Sequence, residues 1–131
     1  MKRSKFETNC KIILEQIFKG YKFETIRPNW LKNPETNHNL EIDLYCEIDG
    51  EKLALEANGG FHVSYPNIFH NSLEEFLKTV RRDDYKRKIC KIHGITLITI
   101  PYIGDFGELR KYIIKQLVLL AKDLLRKRYT L

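Results

Sequence analysis

Two acidic residues, Asp43 and Glu56, occupy the two arms of a predicted hairpin within the segment Leu40 to His62, LEIDLYCEIDGEKLALEANGGFH. Apolar and polar residues alternate along both arms, which is typical of half-buried strands. Asp49-Gly50 between the arms is a strong indicator of a tight hairpin turn. If the polar faces of the two arms coincide, the two carboxylates converge and offer the oxygen ligands that Mg²⁺ prefers. The hairpin therefore predicts a site for a divalent cation.

The elements before the hairpin are a helix, a strand and a loop. Apolar residues recur at helical spacing from about Ser4 to Lys19, Ser4 and Glu7 have the form of a capping box, and Gly20 is placed to end the helix. Residues 21–27 alternate aromatic and polar side chains and predict a first strand, and residues 29–39 have the composition of a loop. Two interpretations of Glu7 stay open, a capping partner or a catalytic carboxylate.

The elements after the hairpin are a charged helix, an apolar strand and a long final helix. The charged helix is predicted to begin after the N-cap Ser72 and to end at Gly94. Its apolar stripe changes phase midway and consists of Leu73, Phe76, Leu77 and Val80, then Tyr85, Ile89 and Ile92. Residues 95–100 form a continuous apolar run, typical of a strand covered on both faces. The helix from Phe106 to about Arg126 has apolar residues on more than one stripe, so it is either deeply packed or presents a second face to a partner chain.

The order of elements is α-β-β-β-α-β-α, which predicts an α/β fold with a mixed sheet flanked by helices. At 131 residues, the chain has the size of one domain, residues 1–131. Its formal net charge of +6 favours a polyanionic partner. The three cysteines are far apart, form no CxxC pair and lie in apolar runs, so we expect buried thiols.

No long apolar run and no signal-peptide core are visible in the sequence. We therefore expect a soluble intracellular protein with no membrane partner, located in the cytoplasm or in the nucleoid or nucleus.

This order of elements and the motifs on it resemble the PD-(D/E)XK nuclease superfamily, and most closely its small single-domain branch. The core of that branch has an aspartate on one strand and then a Glu-x-(Asp/Gln/Asn)-Gly-x-x-His motif. The matching residues are Asp43 and the run Glu56-Ala57-Asn58-Gly59-Gly60-Phe61-His62, with further likeness at Tyr65-Pro66-Asn67, Phe69-His70, Glu75-Phe76, Arg82-Asp83, Lys86, Cys90 and Gly94 to Tyr102. The resemblance covers nearly the whole chain and implies a restriction-endonuclease-like core.

Two positions depart from the superfamily pattern. Ile42 stands where a proline is expected, which is a common relaxation. Asn58 stands where the superfamily has the lysine that helps to orient or activate the attacking water, and asparagine supplies no positive charge. Lys86 is a candidate substitute reaching in from the neighbouring helix, although it also fits a solvated basic face or a phosphate contact.

The resemblance implies a role for each matching residue. Asp43, Glu56 and the Ala57 carbonyl would ligate Mg²⁺ or Mn²⁺, with Glu7 as a further carboxylate. His62 would contact the phosphate or orient a metal ligand, and a structural role for it stays equally open. The basic helix face would neutralise phosphates without reading sequence; its residues are Lys78, Arg81, Arg82 and Arg87, which also fit an ordinary solvated face. Trp30 and Tyr65 would stack on an unpaired base or pack in the core.

Three hypotheses of function follow. The first is a metal-dependent endonuclease (a magnesium- or manganese-dependent hydrolase) that cleaves DNA, with RNA left open as a substrate. The second is a nucleic-acid-binding module that has this fold but lost turnover because of Asn58. The third is an interaction protein that forms a homodimer through its last helix.

Overall fold

The computed structural model describes residues 4–57 and 73–129. Three helices and four strands form in this part of the chain: α1 (Lys5–Ile17), β1 (Glu24–Ile26), β2 (Ile42–Ile48), β3 (Glu51–Ala57), α2 (Leu73–Ile92), β4 (Ile95–Ile100) and α3 (Phe106–Tyr129). Their order is the predicted α-β-β-β-α-β-α. The predicted N-cap at Ser72 lies outside the described residues.

The four strands form one mixed sheet in the order β1-β2-β3-β4. The first three strands are antiparallel neighbours, whereas β3 and β4 are parallel. A parallel pair requires a crossover connection, and α2 lies in the connection between β3 and β4. One apolar cluster joins the sheet to α1 and α3, and a second joins it to α2 and the segment before β2. The predicted mixed α/β sheet with flanking helices is therefore confirmed.

The central hairpin forms as the sequence predicts. Leu44 pairs with Leu55 and Cys46 pairs with Leu53 across the two strands. At the turn, Asp49 has φ 50° and Gly50 has φ 84°, both in the left-handed region. Positive φ at both central residues defines the type I′ turn, whose twist matches that of the strands it joins. The local turn chemistry thus sets the register of the hairpin.

The first helix begins at its predicted cap, because the Ser4 hydroxyl accepts a hydrogen bond of 3.1 Å from the Glu7 amide. The strand after it is shorter than predicted and covers residues 24–26 rather than 21–27. Side chains of α1 occupy the backbone groups of Phe23: its amide donates to Glu15 at 2.8 Å, and its carbonyl accepts from Lys11 at 2.6 Å. These contacts replace the strand pairing that Phe23 would otherwise make.

We expect Glu15→Ala to lower the free energy of unfolding by about 1–3 kcal/mol, because it leaves the Phe23 amide without its acceptor. Burial raises the pKa of Glu15, but the hydrogen bonds from Lys11 and Phe23 outweigh it and lower the pKa below its ordinary value. The ionised carboxylate therefore stabilises the fold at neutral pH, and that contribution is lost as the pH falls through the folded-state pKa. Urea unfolding at pH 7 and pH 3 measures both effects. Glu47→Ala, at an exposed position on β2, is the control, and an equal loss in the two variants would contradict the assignment.

The apolar stripe predicted for α2 is wrong at Leu73, Leu77 and Ile92, which are exposed. Leu73 is 72% exposed, Leu77 is 44% exposed and Ile92 is 76% exposed. The helix packs through its second half instead, where Cys90 is fully buried with Ile89 beside it. Ile92 is two residues from Cys90, about 200° around the helix, so it faces away from the sheet.

The prediction that β4 is covered on both faces is confirmed, because Ile98 and Ile100 pack in the cluster with α1 and α3, whereas Ile95 and Leu97 pack in the cluster with α2. Ile95 and Ile100 are buried, but the four residues between them are only half-buried. Within the described residues β4 is an edge strand, paired with β3 alone.

The last helix presents a second face, which is one of the two alternatives the sequence left open. Leu109 and Ile113 are buried against the sheet, whereas its exposed apolar residues are Ile114, Val118, Leu119, Leu124 and Leu125. The helix is 24 residues long and runs three residues past its predicted end. None of the helices within residues 4–57 and 73–129 has the length and apolar content needed to cross a bilayer.

Candidate active site

The two predicted carboxylates lie on adjacent strands. The pairing of β2 with β3 reaches Leu44 and Leu55, which are the chain neighbours of Asp43 and Glu56. The two carboxylates lie close together, because the charge of Asp43 and a side-chain hydrogen bond with it raise the pKa of Glu56. Asp43 Oδ2 also accepts a hydrogen bond of 3.0 Å from the backbone amide of Ala57, which holds its carboxylate at the end of β3.

An irregularity in the sheet sits beside Asp43. The pairing of β1 with β2 shifts register between Glu24 and Ile26, which oppose Tyr45 and Ile42. A bulge of this kind bends a strand and re-aims a side chain, and it is common next to active sites.

The core contacts of β2 show the effect of that register shift. Ile42 and Leu44 are two residues apart, yet they belong to the clusters on opposite sides of the sheet. The normal alternation of β2 is thus interrupted at Asp43, so its carboxylate reaches the Ala57 amide.

Lys86 reaches the site from α2. Its ammonium lies 2.9 Å from Glu56 Oε1, and each side chain is only 12% exposed. Desolvating both charges is costly, so a buried pair of this kind requires good geometry. The structure therefore brings Lys86 to Glu56, as the sequence suggested for a lysine that replaces the one missing at position 58.

The charges around Glu56 are unbalanced. Loss of hydration is the largest influence and raises the pKa of Glu56; Lys86 lowers it, Asp43 raises it again, and the net pKa is about 8. When both carboxylates are ionised, the site has two negative charges, on Asp43 and Glu56, and one positive charge, on Lys86, so its net charge is −1. A divalent cation between the carboxylates would supply the missing charge.

Glu7 lies near Asp43, but in the described part of the chain it does not form a three-residue metal site with Asp43 and Glu56. Burial, followed by the charges of Glu7 and Asp43, raises the pKa of the Cys10 thiol to about 12, so both carboxylates lie close to that sulfur. In the part of the chain that the structure describes, no three His, Cys, Asp or Glu side chains are grouped to hold a metal ion.

The donor set at the end of β3 fits a hard cation. Asp43 and Glu56 present carboxylate oxygens as ligands. The Ala57 amide donates a hydrogen bond to Asp43, and the Ala57 carbonyl is the third expected ligand. Mg²⁺ is usually held by one or two carboxylates and keeps several waters, so two protein carboxylates suffice for it.

Two candidate residues, Asn58 and His62, lie outside the described residues, which resume at residue 73. Their roles remain predictions from the sequence, as does that of Tyr65.

The four basic candidates of α2 divide into two groups. Lys78, Arg81 and Arg82 line a cleft of about 460 Å³ between α2 and the segment 33–36, where Glu35 and Glu75 also contribute to the wall. Arg87 lies about 180° around the helix from Lys78 and points to β4, where its guanidinium is 3.5 Å from the Thr99 hydroxyl. The structure therefore brings three of the four together.

Trp30 packs within the protein. Its ring stacks on His93 with centroids 3.9 Å apart and planes 19° apart, and it lies against the apolar cluster around Leu31 and Cys90. Of the two roles that the sequence left open for Trp30, the structure shows packing.

One polar residue of the site region was named by the sequence only as part of a motif. Asp83 has a buried carboxylate oxygen, and its place three residues before Lys86 was the available indication.

The predicted burial of the three cysteines is confirmed, since Cys10, Cys46 and Cys90 are buried free thiols. Burial raises the pKa of each, to about 12 for Cys10 and to about 11 for Cys90. Because the thiolate is the reactive form, we expect the native chain to react slowly with iodoacetamide at pH 8 and the chain in guanidinium chloride to react rapidly at all three positions. Mass spectrometry of a time course measures this. Rapid labelling of one native thiol would contradict it.

A chain with this sheet and this site belongs to a family of viral proteins. It is 39% identical over 111 residues to "Uncharacterized protein 094L" of Frog virus 3, an alignment that covers 82% of this chain and 70% of that protein, so the chain belongs to the same family.

Two further relatives come from invertebrate iridescent viruses. "Uncharacterized protein 033L" of Invertebrate iridescent virus 3 is 36% identical over 107 residues, which cover 79% of this chain and 54% of the relative. "Uncharacterized protein 307L" of Invertebrate iridescent virus 6 is 41% identical over 85 residues, which cover 61% and 42%. The chain thus spans about half the length of these two relatives. No family model and no solved structure matches the chain.

Proposed function

We propose that this chain is a metal-dependent endonuclease with a restriction-endonuclease-like core, a member of the PD-(D/E)XK superfamily that hydrolyses DNA phosphodiester bonds. The observation that carries the proposal is the meeting of three side chains from three elements: Asp43 of β2 lies beside Glu56 of β3, and Lys86 of α2 contacts Glu56. In the superfamily pattern, a lysine two residues after the glutamate supplies a positive charge. In this chain, Lys86 of α2 would supply that charge.

In this proposal, Asp43, Glu56 and the Ala57 carbonyl hold Mg²⁺ or Mn²⁺. When bound, the metal stabilises negative charge on the scissile phosphate and lowers the pKa of a coordinated water. The amide of Ala57 fixes the Asp43 carboxylate, and the half-buried hairpin limits the water around both ligands. Glu7, close to the same buried thiol as Asp43, is the further carboxylate that the resemblance implies.

Lys86 supplies the positive charge that Asn58 lacks. Its ammonium is 2.9 Å from a carboxylate oxygen of Glu56, so it lies at the position where a scissile phosphate would meet the metal ligands. Lysine is suited to this role because its ammonium is a compact charge on a flexible stem. Asn58 would then orient a water by hydrogen bonds, and His62 would contact the phosphate.

The cleft beside α2 is the proposed path of the nucleic-acid backbone. Lys78, Arg81 and Arg82 give it three cations against two carboxylates, and it adjoins the site along the same helix that carries Lys86. Contacts to phosphates position a strand without reading its sequence. A DNA substrate would place the protein in the cytoplasm, nucleoid or nucleus, and RNA remains a second substrate of the same chemistry.

Incubation of supercoiled plasmid with the protein and Mg²⁺ or Mn²⁺ tests the proposal. We expect nicked and linear products that disappear when EDTA removes the metal. Single-stranded and branched DNA are tested in parallel, because the site does not define the shape of the substrate. A failure to cleave all three substrates with either metal would contradict the proposal.

The ion pair itself favours a second candidate, a nucleic-acid-binding module without turnover. Lys86 occupies an oxygen of Glu56 that a metal would use, and position 58 has no lysine to compensate. This module would bind DNA with an affinity that falls steeply with salt and would cleave nothing. Binding measured in the same samples as cleavage separates the two candidates.

The third candidate, an interaction protein that pairs two copies through α3, is compatible with either of the others. Ile114, Val118 and Leu125 are exposed and, with Ala121, follow the alternating spacing of four and three residues that is typical of a helix–helix seam.

We expect Val118→Glu to abolish self-association because it places a charge in the middle of this seam. The control Lys115→Glu also adds negative charge, but beside the seam, and should leave association unchanged. Sedimentation velocity of the wild type and both variants measures this. A monomeric wild type at all concentrations would contradict the pairing.

A further inference from the structure

Asp83, on α2, has a carboxylate oxygen that no donor in the described part of the chain satisfies. Its Oδ2 is buried and has no hydrogen-bond partner in the described part of the chain, while its Oδ1 is 3.8 Å from the Arg82 guanidinium. A buried carboxylate oxygen without a donor is costly, and native proteins rarely keep one without a use. A donor that reaches this oxygen in another state of the site would remove that cost.

The position of Asp83 on α2 indicates which donor this is. Asp83 lies seven residues before the fully buried Cys90, about 20° from it around the helix, so it faces the sheet. It also lies three residues before Lys86, and residues at that spacing are neighbours on a helix surface. A lysine stem is long and flexible enough to serve two acceptors that flank it.

Lys86 is a cation at that spacing, and it already has one acceptor. Glu56 Oε1 holds its ammonium at 2.9 Å. If Glu56 becomes the ligand of a divalent cation, the ammonium is repelled by that cation and must leave or share its acceptor. A buried ammonium with no acceptor would strongly oppose metal binding.

We propose that Asp83 is the second anchor of Lys86: the ammonium rests on Glu56 in the metal-free protein and transfers to Asp83 when a divalent cation engages Glu56. The metal-bound half of this statement rests on the proposed function, whereas the competition of Glu56 and Asp83 for one ammonium does not. Asp83 acts through Lys86 and is thus a positioning residue.

A double-mutant cycle on the metal-free protein tests the competition. The free energies of unfolding of wild type, Glu56→Gln, Asp83→Asn and the double variant are compared in urea. With Glu56 present, Asp83→Asn should leave stability unchanged or raise it, because it removes a buried carboxylate oxygen that has no donor in the described part of the chain. With Glu56→Gln, the ammonium rests on Asp83, so the same substitution should destabilise the protein. Equal effects of Asp83→Asn in the two backgrounds would overturn the proposal.

Magnesium binding tests the transfer of the ammonium. This experiment needs only single variants, so it can be carried out even if Glu56→Gln does not fold. Calorimetric titration of the chain with Mg²⁺ should show about tenfold weaker binding for Asp83→Asn than for wild type, the effect of losing one charge-assisted hydrogen bond. Asp84→Asn is the matched control: it is the neighbouring aspartate, 55% exposed and paired with Lys88 at 3.0 Å, and it should leave the affinity unchanged. Equal affinities of wild type and Asp83→Asn would overturn the transfer.

The two measurements also separate this proposal from the proposed function. If the wild type binds no divalent cation, the metal-dependent nuclease fails, and the cycle still decides whether Glu56 and Asp83 compete for Lys86. If the wild type binds Mg²⁺ and the cycle shows no coupling, the anchor fails and the nuclease proposal stands.

Discussion

Glu56→Gln should lower metal-dependent cleavage of DNA by at least about 10²-fold, since even an outer-shell partner of a metal site is worth 10- to 100-fold and Glu56 is proposed as a ligand. The substitution keeps the shape of the side chain and an oxygen that can accept from Lys86, but it removes the charge that attracts the metal. The rate of plasmid nicking in Mg²⁺ and in Mn²⁺ measures the effect, with circular dichroism to compare the folds.

Glu51→Gln is the control for that experiment. It makes the same chemical change on the same strand, at an exposed position five residues earlier, and should leave the rate unchanged. Asp43→Asn should match Glu56→Gln, because the two carboxylates lie close together. Undiminished cleavage by Glu56→Gln would place the chemistry elsewhere or identify a contaminating nuclease.

The hairpin that carries those carboxylates could be predicted because it depends on local rules. Alternation along a strand has a period of two, and Asp49-Gly50 selects a tight turn, so the turn and the apolar pattern together set the register of β2 against β3 from Leu44 onwards. The same alternation is wrong before Asp43, because Ile42 and Leu44 pack on opposite sides of the sheet. The Ser4 cap of α1 depends on an equally local contact, with the amide three residues on. The hairpin turn and the cap were found in the structure where the sequence placed them.

Other features depend on contacts between distant segments, and local patterns predict those poorly. The first strand is shorter than its alternation indicates because Glu15 and Lys11 of α1 take the backbone groups of Phe23. The stripe of α2 fails because only the second half of that helix packs on the sheet, so Leu73 and Leu77 are left exposed.

The same limit applies within the site. Lys86 could be nominated from the resemblance, but its contact with Glu56 joins residues 30 positions apart. The local pattern does not predict that Asp83 has a buried oxygen and that Asp84 is exposed, because both lie in one charged run. Burial of one aspartate and not the other follows only from the rotation of α2 on the sheet.

Arg82→Glu should weaken DNA binding more than Arg87→Glu, although both substitutions change the charge by the same amount on the same helix. Arg82 lines the cleft next to Lys78 and Arg81, whereas Arg87 contacts Thr99 beside β4. If the cleft carries the nucleic-acid backbone, Arg82 neutralises a phosphate, and its loss should also reduce the slope of log affinity against log salt by about one. Fluorescence anisotropy with a labelled oligonucleotide at several salt concentrations measures both quantities.

Lys78→Glu repeats that test from within the same cleft, at a residue that is one turn from Arg82. It should reproduce the weaker binding and the smaller salt slope, which guards against an effect of Arg82→Glu on its neighbour Asp83, 3.8 Å away. EDTA in the binding buffer prevents cleavage, so the result does not depend on turnover. Equal losses for Arg82→Glu, Lys78→Glu and Arg87→Glu would mean that net charge alone attracts the DNA, and the backbone would then have no defined path along α2.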